Sequence, residues 1–367
     1  MYRKQPMKPR TAQSGLSLVE LMIAMLIGLL VVVAAGGVFL ANKRVYASTE
    51  TLNRIQEGTR AAFELMSRDI REAGGNPCSA SAVVVNQLSN GSNTWWTGWM
   101  EGIHGYDGTD AMASGASGMG QFGSNAGQRV SGTDAVEVHG AFGSGIRVTG
   151  HAQPGAEIEV GSTTGLQTND ILMVCNMDYA FVFQATGLDA GNKIQHNGDG
   201  SLNCAKEFQY QSPCTGTGAS VAFGYCFVPG ATPSAQCIGY GRGPAFVAKV
   251  QTVRWFVGNN SRGGRSLYRA SLANRSNGNT PDTLHEAYEV IEGVEDMQIT
   301  YLETGASGYV AAGSVTDWSQ VLAVRIEMLV TGTEGALSAR ETQGVDGQAL
   351  RRRVTHVVQL RNREATL

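Results

Sequence analysis

From Leu16 to Ala41 the sequence runs for 26 residues with a single ionisable side chain, Glu20. Wound as a helix, the stretch is roughly 39 Å long, enough to cross the hydrocarbon core of a bilayer. Arg3, Lys4, Lys8 and Arg10 precede it, with no acid among residues 1–15. The positive-inside rule therefore keeps the N-terminus cytoplasmic and delivers the rest of the chain to the periplasmic side. A secretory signal differs, with a shorter apolar region and a small-residue cleavage site after it. Hydropathy alone fits a plain N-terminal anchor equally well.

Glu20 is what a plain anchor leaves unexplained. A carboxylate within an apolar span costs about 3 kcal/mol on insertion scales and normally has a partner or a task. Its surroundings read Ser14-Gly15-Leu16-Ser17-Leu18-Val19-Glu20-Leu21. A glycine, a hydrophobic residue and a glutamate four places further on resemble the class III signal of type IV prepilins. The resemblance implies cleavage between Gly15 and Leu16 by a prepilin peptidase and methylation of the new amino terminus. It also implies pairing of Glu20 with the N-terminal amine of a neighbouring subunit, which sets the stagger between helices. Two opposite charges that meet in apolar surroundings only on assembly favour one register. Two departures stand out: Leu16 replaces the phenylalanine usual in pilins, and Gly36-Gly37 stand near where major pilins commonly carry a proline. Each glycine weakens a helix by about 1 kcal/mol relative to alanine, so a bend or local melting is expected, with close helix packing in lipid as the alternative.

The helix should continue beyond the membrane. No proline occurs from Asn42 to Ala73, and Leu52, Ile55, Thr59, Phe63, Met66 and Ile70 recur at steps of three or four. That is one apolar stripe on a charged helix, suited to packing on a sheet, with Gly74-Gly75 and Pro77 as stop signals. After Pro77 short runs alternate with turn residues. Ala135–Val138, Ile158–Val160, Ile171–Val174, Ala180–Gln184 and Ala245–Val257 read as strands. In Val321–Val330, Leu322, Val324, Ile326, Met328 and Val330 share a face opposite Arg325 and Glu327. In Arg353–Leu360, Val354, His356, Val358 and Leu360 share another. Period-two alternation predicts half-buried, mainly antiparallel strands. The reading is α+β: leader 1–15, membrane helix 16–41, amphipathic continuation 42–75, and a β-rich head over 76–367.

Composition suits an exported head. Charged residues make up 16% and glycines number 48, pointing to a loop-rich domain. Without residues 1–15 the chain carries 24 basic against 31 acidic residues, a poor balance for capturing polyanions. Cys78, Cys175, Cys204, Cys214, Cys226 and Cys237 all lie beyond the membrane segment. An even count in an exported domain reads as disulfides, with Cys204/Cys214 and Cys226/Cys237 the local pairs among many possible connectivities. No C-x-x-C occurs and the six histidines are scattered, so neither a metal nor another cofactor is expected. Asp189, Asn192, Asn197 and Asp199 crowd one polar loop that could hold calcium, but no EF-hand glutamate follows, and a solvated turn is the expectation.

Between about Ser89 and Arg129 lies a Gly/Ser/Asn-rich segment with Trp95, Trp96 and Trp99 near its start, expected to be an exposed loop. The tryptophans would make either a contact surface or a small satellite core, the latter favoured. Several strings resemble PilW-type minor pilins: Ala73-Gly74-Gly75; Asp170-Ile171-Leu172-Met173-Val174-Cys175 with Phe183-Gln184-Ala185-Thr186; Trp255-Phe256-Val257-Gly258-Asn259-Asn260; Ser266-Leu267-Tyr268-Arg269; Glu292-Gly293-Val294-Glu295-Asp296-Met297-Gln298; and Gln359-Leu360-Arg361-Asn362-Arg363. The resemblance implies a non-catalytic pilus component that waits in the inner membrane, head periplasmic, and reaches the cell-surface pilus on assembly. Its implied partners are the prepilin peptidase, other minor pilins, the major pilin and the inner-membrane assembly machinery. Its implied role is priming assembly at the pilus tip, in support of twitching motility, adhesion or DNA uptake. The alternatives are a tip adhesin and a type II secretion pseudopilin.

Nothing in the sequence assembles a catalytic constellation. Gly118-Met119-Gly120-Gln121-Phe122-Gly123 fits G-x-G-x-x-G but lacks a strand before it and a helix after it. No G-x-S-x-G, Walker A or H-E-x-x-H string occurs. Arg351-Arg352-Arg353 and Arg361-Asn362-Arg363 flank the last strand. With an acidic remainder and no interleaved aromatics, they read as a solvated edge rather than a nucleic-acid site.

Overall fold

A computed structural model describes residues 15, 17–79, 81–88, 95, 101–112, 120–141, 145–198, 201–209, 223–228, 234–272, 285–332, 350–361 and 363, the side chains of 285 and 286 excepted. Two compact units emerge: Met1–Asn53 with Glu334–Leu350, and Arg54–Thr333 with Arg351–Leu367. One helix, α1 (Leu18–Arg71, 54 residues), supplies all of the described first unit except Gly15, Ser17 and Leu350, and opens the second.

In the first unit, every described residue from Ser17 to Tyr46 is exposed. The large apolar side chains from Leu18 to Leu40 are each more than half exposed, Leu21 the least at 52%. A surface of this kind is incompatible with water and suits lipid, and the helix is long and apolar enough to cross a membrane.

In the second unit the helix changes character. Of the expected stripe, Leu52 is only partly buried, whereas Ile55, Thr59, Phe63, Met66 and Ile70, with the neighbouring Ala62, are each 4% exposed or less. They enter a core with Trp255, Val257, Leu267, Met297, Ile326, Met328 and Val358. The helix stops where the glycines stand. Gly74, at φ +68°, adopts the left-handed conformation that suits glycine at a helix end.

Among the described residues seventeen strands follow. They are β1 (Val83–Asn86), β2 (Ile103–Tyr106), β3 (Ala135–Ala141), β4 (Ile146–Gly150), β5 (Ile158–Val160), β6 (Ile171–Cys175), β7 (Tyr179–Gln184), β8 (Gly187–Asp189), β9 (Lys193–Gln195), β10 (Gly224–Tyr225), β11 (Cys237–Gly239), β12 (Phe246–Asn259), β13 (Arg265–Leu272), β14 (His285–Glu292), β15 (Val294–Glu303), β16 (Val321–Thr331) and β17 (Arg351–Gln359). The 14-residue β12 is the hub. Its first part pairs with β4 and β6 and its second with β3 and β13, all antiparallel. β15, β16 and β17 form a separate antiparallel sheet. Among the described strands only β1–β7 and β10–β11 pair in parallel. The protein is thus α+β: one long N-terminal apolar helix before a mostly antiparallel, β-rich head.

Two expectations change in detail. Alternation in β16 holds from Val324 to Val330, but Val321 is buried and Leu322 only partly so. The ladder skips here, pairing Leu302 with Ala323 and Glu303 with Val321, and the irregularity turns Leu322 outward. Within 89–129, expected to be loop, β2 pairs with β3 and buries Ile103 completely. Its Ile-His-Gly-Tyr sequence hides the strand, because Gly105 stands where a Cβ would lie 2.2 Å from the Tyr301 hydroxyl.

Candidate functional site

The site is the start of α1. Gly15 is exposed and non-helical, Leu16 lies outside the described residues, and the helix begins at Leu18. The Ser17 amide donates to Glu20 Oε2 at 3.3 Å, and the Glu20 amide donates to Ser17 Oγ at 3.2 Å. This reciprocal pair is a capping box. It satisfies two amides that the first turn leaves without helical partners, and it places a carboxylate at the positive end of the helix dipole. Sequence reading singled out Glu20 but not Ser17; the S-x-x-E spacing was the available signal. Gly36 and Gly37 lie in unbroken helix, and no atom comes within 4 Å of a Cβ built on either. Within the isolated chain neither glycine is needed for packing.

In the head, Cys78 bonds Cys175 and Cys226 bonds Cys237, with Cα–Cα distances of 5.9 and 5.6 Å. Cys204 is also disulfide-bonded; Cys214 lies outside the described residues. Trp95 is buried, 3% exposed, with the Arg254 guanidinium 4.3 Å from its ring centroid. Trp96 and Trp99 fall outside the described residues. The polar loop read as a solvated turn is exposed at Asp189, Asn192 and Asn197, and its oxygens accept from neighbouring residues of the chain. Asp189 accepts from Gln195, Asn192 from Thr163, and the Asn197 carbonyl from Ser201 and Asn203; Asp199 is not described. No group of three or more His, Cys, Asp or Glu side chains suited to a metal occurs among the described residues. Gly118 and Met119 of the glycine string lie outside the described residues; Gly120 and Gly123 are turn and bend, and no helix follows before β3. Arg351, Arg352 and Arg353 are exposed on β17, where Arg351 pairs with Glu295 and Arg353 with Glu327.

Sequence reading missed the buried polar groups. Glu137 on β3 and Arg254 on β12 face each other across the ladder, 2.7 Å apart and 5% and 1% exposed. Burial pushes the Glu137 carboxyl up, but Arg254 and His139 outweigh it and hold it at about 2. His139 links Glu137 at 2.8 Å to Thr252 Oγ1 at 3.2 Å. That line resembles a nucleophile–base–acid relay, yet Thr252 is fully buried, out of any substrate's reach. It serves the packing of two strands. Arg129, fully buried, donates to the carbonyls of Tyr106, Asp107, Asp110 and Thr133. A pair of opposite charges in otherwise apolar strands was the legible hint of Glu137 and Arg254; Arg129 had none.

Asp69, on the stripe side of α1, accepts from Trp255 Nε1 at 2.9 Å and from Arg269 Nε at 2.8 Å. Both partners lie within the C-terminal part of the chain. Residues 254–362 match the family model of the type IV pilus-assembly protein W, and residues 10–36 match the prokaryotic N-terminal methylation motif. The first span holds Trp255–Asn260, Ser266–Arg269 and Glu292–Gln298 and reaches into the terminal Gln359–Arg363 string; the strings before β12 lie outside it. No curated protein and no solved structure matches the chain. A methylation motif at the start of its apolar helix and a W-type region in its head thus make the chain similar to type IV prepilin-like proteins of the PilW family.

Proposed function

We propose that the chain is processed between Gly15 and Leu16 on the cytoplasmic face and methylated on Leu16. It then waits in the inner membrane with its head periplasmic, and joins other minor pilins to prime pilus assembly at the tip. The capping box carries this reading, because it makes Glu20 a fixed, exposed acceptor one turn from the new amino terminus. A free amine released at Leu16 is the complementary charge, and in lipid the pair is worth forming only where both meet. The Glu137–His139–Thr252 line, buried among strands, suits a structural role. Trp95, buried against Arg254, favours a packing role for that tryptophan over an adhesive one.

The deciding measurement is the mass and N-terminal residue of the protein from its native membrane, beside a Gly15 variant. A chain starting at methylated Leu16, lost in the variant, supports the reading; an intact leader overturns it. Glu20→Ala should leave cleavage intact and reduce piliation, and normal pili in that strain would remove the registry role.

A further inference from the structure

His151 and His196 are 1% and 3% exposed, inside an aromatic cage. Phe208 stacks on His196 at 4.6 Å between ring centroids and meets His151 edge-on at 5.5 Å. Phe227 lies 5.5 Å from His151 and Phe183 lies 5.9 Å from His196; the two imidazoles are 5.8 Å apart. The polar contacts are few. His151 Nδ1 accepts the Phe227 amide at 3.2 Å, His196 Nε2 donates to the Ala156 carbonyl at 2.7 Å, and His151 Nε2 has no partner among the described residues. Phe208 and Phe227 belong to chain segments that contain Cys204 and Cys226, and the Tyr225 amide joins these segments through the Phe208 carbonyl at 2.7 Å. The two histidines are thus the polar centre of the contact between the cystine-bearing segments and the part of the head built on β4, β5 and β9.

Both rings are neutral in this arrangement, for a geometric reason. His151 Nδ1 already accepts an amide hydrogen, so a proton there must break that bond. A charge on either ring would sit among phenylalanines beside the other histidine. Lys206 adds a repelling positive charge near His196, while the carbonyls of Ala156 and Lys206 favour the proton without outweighing burial. The nearby carboxylates Glu157 and Glu159 face Lys193 at 3.8 and 3.3 Å, and Gln195 also holds Glu157. Tyr179 and Tyr225 are the other titratable side chains of the cluster.

We propose that His151 and His196 form an acid-released clasp, which holds the segments around Cys204 and Cys226 on the head while both rings are neutral and lets go when they take up protons. Burial lowers His151 to about 3 and His196 to about 4 from an ordinary value of 6.5. The closed form is favoured in full above pH 6.5 and loses that advantage as pH falls from there towards 4 and 3. Between pH 7 and 4.5 the open fraction rises on the order of a hundredfold for each histidine that becomes solvated.

The test is hydrogen exchange on the full-length protein in nanodiscs, read as protection factors so that the pH dependence of intrinsic exchange drops out. Amides 223–228 should lose about two to four decades of protection between pH 7 and 4.5, while those of Ile326 to Val330 keep theirs. In the variant His151→Asn/His196→Gln, Asn supplies an acceptor near Nδ1 and Gln a donor near Nε2, and neither titrates, so protection should stay flat. Unchanged protection in the wild type, or an equal loss in the variant, overturns the clasp. Should the variant not fold, a histidine NMR titration of the wild type decides. Protonation concurrent with loss of protection supports the clasp; titration near 6.5 with protection retained refutes it.

Discussion

Glu137 and Arg254 are hydrophilic residues in a place where the strand pattern asks for apolar ones. Removing either charge strands the other in a medium that cannot solvate it, which costs about 3–5 kcal/mol. Glu137→Gln and Arg254→Met should each lower the denaturation midpoint accordingly, and the double variant should cost less than the sum of the two. A single-variant loss under 1 kcal/mol would mean that water reaches the pair. Asp134 poses the opposite case. Burial raises its carboxyl to about 6, despite the hydrogen bond it accepts from the Ile299 amide. The fold favours its neutral form, so its contribution is complete below pH 3.8 and is lost as pH rises through 6. Asp134→Asn keeps an acceptor and carries no charge. It should therefore be more stable than the parent at pH 7 and lose that advantage below pH 4, as paired urea titrations would show. At this scale the sequence was informative only where a charge broke a pattern. Arg129 sits in a polar, glycine-rich stretch, and nothing in its neighbours announces that four carbonyls converge on it.

Among the elements, α1 was the most legible, because both of its environments write themselves in composition: unbroken apolarity first, then a stripe at steps of three and four. β16 was legible by alternation and β12 as a long β-like run, although β12 is buried almost without alternation. β2, β8, β9 and the β10–β11 pair were not, being short and built from glycine and polar residues whose pairing is dictated by distant partners. The contact between α1 and the sheet depends on residues the stripe does not include. Asp69→Ala leaves the Trp255 indole N–H and the Arg269 guanidinium without their shared acceptor. The expected cost is about 1–3 kcal/mol, with a red shift in tryptophan emission, and an unchanged spectrum and midpoint would show that water replaces the carboxylate freely. Gly58 marks a close approach on this helix, since a Cβ there would come within 2.7 Å of Ile291 Cδ1.

For the whole molecule, the even cysteine count and the apolar start together indicated an exported protein stapled by disulfides, but spacing could not name the long-range bond. Cys78 and Cys175 are 97 residues apart, and only the placement of β6 beside β7 and β1 brings them together. Closing a loop of that length removes about 4–5 kcal/mol of freedom from the unfolded chain. Cys78→Ser/Cys175→Ser should therefore lower stability by much of that amount, measured by denaturant unfolding of the full chain. A loss below 1 kcal/mol would show that the unfolded chain is already confined. The end of α1 has a mechanical side. The Gly74 amide bonds the His139 carbonyl, the Ala141 amide bonds the Gly75 carbonyl, and Arg361 returns to Arg71. Three residues beyond Gly75 stands the cystine to β6. Traction on the helix therefore meets no slack where it enters the head: the load passes from the last helical turn into crossed backbone bonds and then into a covalent tether.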